Sequence, residues 1–192
     1  GTYYNYFCLI SDFSTHFLPA SSPATVNAYD EADIAGNLKS DTTIELRANI
    51  TLAAGGGTSS AFVVSGVVNL VINGNGHSIR FASSSSSNGR FFYVEAFSKM
   101  EVNDLTLENG YVYGASDDDG GGAVFSSMSY LTMNRCKFSS NKVSYFSGDL
   151  NGAFGGALYV ISSAAPFNAT LSLCTFSRNS AWCGNNYDAG YG

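Results

Sequence analysis

Gly121-Gly122-Ala123-Val124-Phe125 is followed by Cys136-Lys137-Phe138-Ser139-Ser140-Asn141, and the phrase returns as Gly155-Gly156-Ala157-Leu158-Tyr159 with Cys174-Thr175-Phe176-Ser177-Arg178-Asn179. The Gly-Gly-Ala elements recur from 121 to 155 and the Cys-x-Phe-x-x-Asn elements from 136 to 174. An imperfect period of this size marks a stacked repeat whose insertions are absorbed in loops on one side. Equivalent residues of successive coils would then lie about 4.8 Å apart, as in neighbouring parallel strands.

Working outward, short apolar or alternating runs fill the chain: Ile44–Leu46, Ile50–Leu52, Phe62–Val64, Val67–Ile72, Ser78–Phe81, Phe91–Val94, Met100–Val102 and Leu105–Leu107. Turn chemistry separates them, as in Gly55-Gly56-Gly57, Asn73-Gly74-Asn75-Gly76 and Asn109-Gly110. About three strands per coil predict an all-β parallel β-helix. Asp30–Leu38 is the one helical candidate, acidic in its first turn with Ile34 and Leu38 at i, i+4. It would cap the open first coil. Residues 1–25 read as an aromatic arm carrying Tyr3, Tyr4, Tyr6, Phe7, Phe13 and Phe17, either packed on its own body or donated to a neighbour. Residues 26–192 read as the β-helix domain, its last coil incomplete at Gly190–Gly192.

The paired phrase resembles the Gly-Gly-Ala-[Ile/Leu/Val] and Phe-x-x-Asn repeats of chlamydial polymorphic outer membrane proteins: Gly121–Val124 and Gly155–Leu158 match the first, Phe138–Asn141 and Phe176–Asn179 the second. More broadly, roughly residues 40–192 resemble pectin-lyase-like proteins, which implies a right-handed parallel β-helix. Two full motif pairs and no outer-membrane barrel segment do not fit a single-chain autotransporter. One fold hosts many activities, so function is not implied. The motif residues have a structural reading: Gly121, Gly122, Gly155 and Gly156 allow tight backbone. Phe138 and Phe176 should stack inside, and Asn141 and Asn179 should bond backbone at the following turns.

A net charge of -6 with nine Lys plus Arg and no basic cluster excludes the usual nucleic-acid surface. No run reaches the ~18 apolar residues of a membrane span. The chain starts without Met or a charged signal region and ends approaching another Gly-Gly-Ala, so a fragment or processed product is expected. Four cysteines and the sequons at Asn49 and Asn168 suit an extracellular or cell-surface glycoprotein. Cys136 and Cys174 share a motif position and should stack near disulfide range, as a bond or a reduced pair; Cys8 and Cys183 complete three pairing schemes among which sequence does not choose.

Asp117, Asp118 and Asp119 form the one acidic cluster, a candidate Ca²⁺ site if a loop curls the carboxylates together and otherwise a solvated loop. No other cofactor is indicated. Glycoside chemistry would need paired carboxylates, whereas Glu45, Glu101, Asp104 and Glu108 are scattered, the last two flanking an inward-facing Leu105-Thr106-Leu107 strand. His77 follows a glycine turn and His16 sits in the arm without a triad partner; zinc spacing is absent. The reading is a non-enzymatic structural or adhesive module that assembles head to tail with itself into a filament or surface appendage. The alternative is a carbohydrate-active or glycan-binding domain, with surface glycans as partners.

Overall fold

Two-residue alternation sets which side of each strand is buried. In β2 (Thr42–Leu46), Thr42, Ile44 and Leu46 face inward while Thr43 and Glu45 face out. The computed structural model describes residues 23–53, 59–83, 88–114, 120–145, 153–162 and 167–183. Sheet 1 runs in the order β1 (Ala24–Ala28), β2, β5 (Leu70–Asn73), β8 (Lys99–Asn103), β12 (Tyr130–Asn134) and β16 (Asn168–Ser172). Sheet 2 contains β3 (Ile50–Leu52), β6 (Ser78–Phe81), β9 (Thr106–Glu108), β13 (Lys137–Ser139) and β17 (Thr175–Ser177). The short sheet 3 is β10 (Tyr111–Gly114), β14 (Lys142–Tyr145) and β18 (Ser180–Cys183). Sheet 4 is β4 (Ser60–Ser65), β7 (Arg90–Glu95), β11 (Val124–Ser127) and β15 (Leu158–Ile161).

Within the sheets each strand pairs in parallel with its counterpart one coil away, which makes the fold a parallel β-helix. Register aligns the inner rows. Ile44, Ile72, Val102 and Met133 stack through sheet 1, and Ile50, Ile79, Leu107 and Phe138 through sheet 2. All eight are buried, and full burial of such a side chain stabilises by about 1.5–3 kcal/mol. In β9 the inward residues are Leu105 just before the strand and Leu107, while Thr106 points outward; the sequence reading had placed all three inside.

The helix forms, but only over α1 (Glu31–Ala35). Asp30 caps it by accepting from Asp33 N at 3.0 Å, and the Asp33 carboxylate accepts from Tyr29 N at 2.8 Å. These reciprocal bonds hold the first turn. Gly36 ends the helix, and Leu38 lies beyond it, partly buried against the core. Ile34 is fully buried, pinning α1 against β1 and β3 over the first coil. Ala24 and Thr25 pair with Thr42 and Thr43, so the β-helix takes in two residues read above as arm. The rest of the arm through Phe17 lies outside the described residues.

Candidate functional site

The repeated phrase builds the inner side of one corner. Gly121 and Gly155 adopt φ of +73 and +58, where a side chain is strained. Gly122 and Gly156 serve closeness instead: a Cβ on Gly122 would meet the Lys142 backbone O and N at 2.6 and 2.7 Å, and one on Gly156 would meet the Ser180 backbone. Asn141 explains why the chains come so close. Its Oδ1 accepts from Gly110 N at 2.9 Å, and its Nδ2 donates to Leu107 O at 3.1 Å and to Asn179 Oδ1 at 3.0 Å. Asn179 Oδ1 also accepts from Asn141 N, and its amide donates to Phe138 O. Phe138 and Phe176 stack with centroids 4.6 Å apart and planes at 2°. The phrase's glycines, phenylalanines and asparagines serve packing and backbone satisfaction.

A second ladder runs along the outer face of sheet 1, at the strand ends. Asn73 donates to Glu45 at 2.7 Å, Asn103 to Asn73 at 3.0 Å and Asn134 to Asn103 at 2.9 Å. Sequence reading missed it. The sequence holds only a local trace of it, an apolar residue followed by Asn at each strand end: Ile72-Asn73, Val102-Asn103 and Met133-Asn134. Two of the carboxylates named above, Glu45 and Glu101, accept bonds from ladder asparagines. Hydrogen bonds from Asn75 and then Asn73 hold Glu45 below its ordinary value of 4.5. Asp104 is likewise lowered by the bidentate Arg135 guanidinium, both contacts being 2.7 Å. Glu101 accepts from Asn103, and Glu108 lies in register beside Arg80. Glu101, Asp104 and Glu108 share one coil, on β8, the corner after it and β9, while Glu45 lies two coils earlier on β2. His77 forms part of a turn, its N–H donating to Gly74 O at 2.8 Å.

Lowered carboxyl values fix the sign of a pH effect. Glu45 and Asp104 contribute stability that is present above their unfolded-state values and is lost as pH falls through the lower folded values. Acid titration of the denaturation midpoint should therefore show a fall below about pH 5. Glu45→Gln should flatten that fall; an unchanged profile would show that the ladder does not couple to folding.

Cys136 and Cys174 are free thiols stacked on successive coils, the reduced one of the two arrangements read from sequence. Cys136 is buried and donates to Val102 O, and burial pushes its thiol up to about 11. Cys174 donates to Met133 O at 3.3 Å. Cys8 lies outside the described residues, as does the Cys183 side chain. Asp117, Asp118 and Asp119 also lie outside them, and among the described residues no group of three or more His, Cys, Asp or Glu could hold a metal. Asn49 is exposed and accepts from Ser78 N and Oγ; Asn168 is exposed on the outer face of β16. Among the described residues no helix is long and apolar enough to cross a membrane.

Two apolar surfaces remain. On the last described coil the inward residues Leu171 and Phe176 are 42% and 49% exposed, where their counterparts Met133 and Phe138 are fully buried. The other is at the corner between sheets 4 and 1, where Phe97, Tyr130 and Phe167 cluster; nearby, Tyr93 stacks at 4.9 Å on buried Phe125, with the buried Arg90 guanidinium over that ring.

The profile of the pectate lyase-like adhesive domain matches residues 24–146. The chain belongs to that family. The match begins with β1 and ends just past β14, and β15 to β18 continue the same register beyond it. No curated protein and no solved structure gives a significant match. The family is described as an adhesive domain. The match speaks for the pectate-lyase-like β-helix; it carries no sign of the chlamydial repeat family.

Proposed function

We propose that this chain is an extracellular, cell-surface adhesive module that works through the flank and end of its coil stack and associates end to end into a filament. The observation that carries the assembly is that Leu171 and Phe176, inner-row residues of the last described coil, are exposed. Such a face is complementary to another coil or an apolar arm. A heterologous contact of one end with the other does not close on itself and grows as a fibre. The arm bearing Tyr3, Tyr4, Tyr6, Phe7, Phe13 and Phe17 supplies the apolar side chains such a contact needs. Glycans at Asn49 and Asn168 and Ca²⁺ at Asp117–Asp119 belong to the same surface reading.

Electron microscopy and sedimentation of the chain with and without residues 1–25 test the assembly. Deletion should abolish polymers while the β-sheet circular dichroism persists. Identical polymers from the truncated chain would sink the donated arm, and monomers from the full chain at high concentration would sink the filament.

A further inference from the structure

The corner between sheets 4 and 1 carries a feature that neither the core nor end-to-end assembly uses. Between β7 and β8 the chain spends Ala96, Phe97 and Ser98, against two residues between β11 and β12. Ala96 and Phe97 both take positive φ, 54 and 65, a conformation that bulky side chains rarely adopt. Their backbone is nonetheless fixed. Phe97 N donates to Met128 O at 3.0 Å, and the buried Ser98 hydroxyl bonds Val64 O at 3.2 Å and Glu95 O at 2.5 Å. The result is a rigidly held phenylalanine with 65% of its surface exposed. Met128, its counterpart one coil on, also takes positive φ, 44, so the conformation belongs to the corner and the exposed ring is what sets Phe97 apart.

Phe97 leans on Phe167, centroids 5.3 Å apart, and Phe167 meets Tyr130 edge-on at 5.3 Å. Beside them lies a depression of about 400 Å³ lined by Ser127, Met128, Ile161 and Ser162, within the size range of small-ligand sites. In register with Tyr130 on the outer face stand Lys99 on one side and exposed Asn168 on the other. Ring faces beside hydroxyl and amide groups suit a ligand with apolar C–H faces and an equatorial rim of hydroxyls. Charge narrows the class further: Glu95 and Glu101 outnumber Lys99 locally, and the whole chain is at -6, which disfavours polyanions.

We propose that this corner binds one or two pyranose units of a neutral polysaccharide, with Phe97 and Tyr130 as stacking platforms. The inference rests on the adhesive reading above and names its ligand class. The test uses full chain from a host without N-glycosylation, so that Asn168 carries no sugar. Neutral hexasaccharides built on glucose, mannose, galactose and N-acetylglucosamine are titrated by calorimetry and saturation-transfer NMR, with polygalacturonate and phosphatidylcholine vesicles in parallel. At least one neutral series should bind, with transfer to ring C–H protons. Phe97→Ala and Tyr130→Ala should each weaken it tenfold or more, and Tyr29→Ala, at the far end of the stack, should leave it unchanged. Binding of no neutral sugar at millimolar concentration, preference for the polyanion or the vesicles, or a less than twofold effect of Phe97→Ala in a protein of unchanged melting temperature overturns the proposal. Adhesion to polysaccharide-coated surfaces separates the two readings. Adhesion that survives Phe97→Ala overturns the corner and keeps the adhesive module; corner-dependent sugar binding by a protein that adheres to no surface supports the corner and sinks the module.

Discussion

Asn141→Ala is expected to destabilise the protein by about 3–5 kcal/mol, a large share of the roughly 5–15 kcal/mol that holds a domain together. Asn141 is fully buried, and its side chain satisfies backbone on the coil before and an amide on the coil after. Truncation leaves the Gly110 N–H and Leu107 carbonyl without these bonds, each at a desolvation cost of about 1–3 kcal/mol. Asn141→Asp should be worse at neutral pH, because a carboxylate cannot donate to Leu107 O and would sit uncompensated in the interior. Asn179→Ala should cost less, since Asn179 makes the same kinds of bond from a half-buried position, where water can replace it. Urea titrations followed by circular dichroism measure the series at unchanged slope. A loss under about 1 kcal/mol for Asn141→Ala would show that water replaces the ladder, contrary to the burial argued here.

The same series shows what the sequence could and could not convey. Repeated phrases fixed the stacking because period and register are properties of the chain itself, and Phe138 and Phe176 do stack face to face. Their burial was not legible. Phe138 is sealed and Phe176 half exposed within the same Cys-x-Phe-x-x-Asn phrase, because exposure depends on what lies one coil further on. The Glu45–Asn73–Asn103–Asn134 ladder escaped for a related reason. Its members lie 28 to 31 residues apart, and only the pairing register makes them neighbours. Phe97 was invisible because its prominence comes from a difference of one residue between two corner lengths, which has no local signature. The helix was easier, being encoded by Asp30 and Asp33 in its own first turn, although Gly36 stopped it short of Leu38.

Gly122→Ala should be at least as damaging as the loss of Asn141, on the order of 3 kcal/mol or more, and for a different reason. The added Cβ would lie against Lys142 backbone on one side and the Gly156 carbonyl on the other. Neither neighbour is a side-chain tip that can rotate away, so relief requires neighbouring coils to part, which breaks parallel pairing and the Asn141 bonds together. A comparison separates this cost from conformational strain. Gly76, at φ +82, faces open space, so Gly76→Ala bears only the left-handed penalty of about 1–2 kcal/mol. Gly122 carries no positive φ, so its cost is contact alone. Gly156→Ala should resemble Gly122→Ala in mechanism but cost less, because its obstacle is the backbone of Ser180 in the less constrained last coil. Equal melting shifts for Gly76→Ala and Gly122→Ala would mean that coil-to-coil closeness is not what the second glycine of the phrase provides. The expected order, Gly122 above Gly156 above Gly76, assigns the doubled glycine two separate tasks: the first turns the chain, and the second lets successive coils touch.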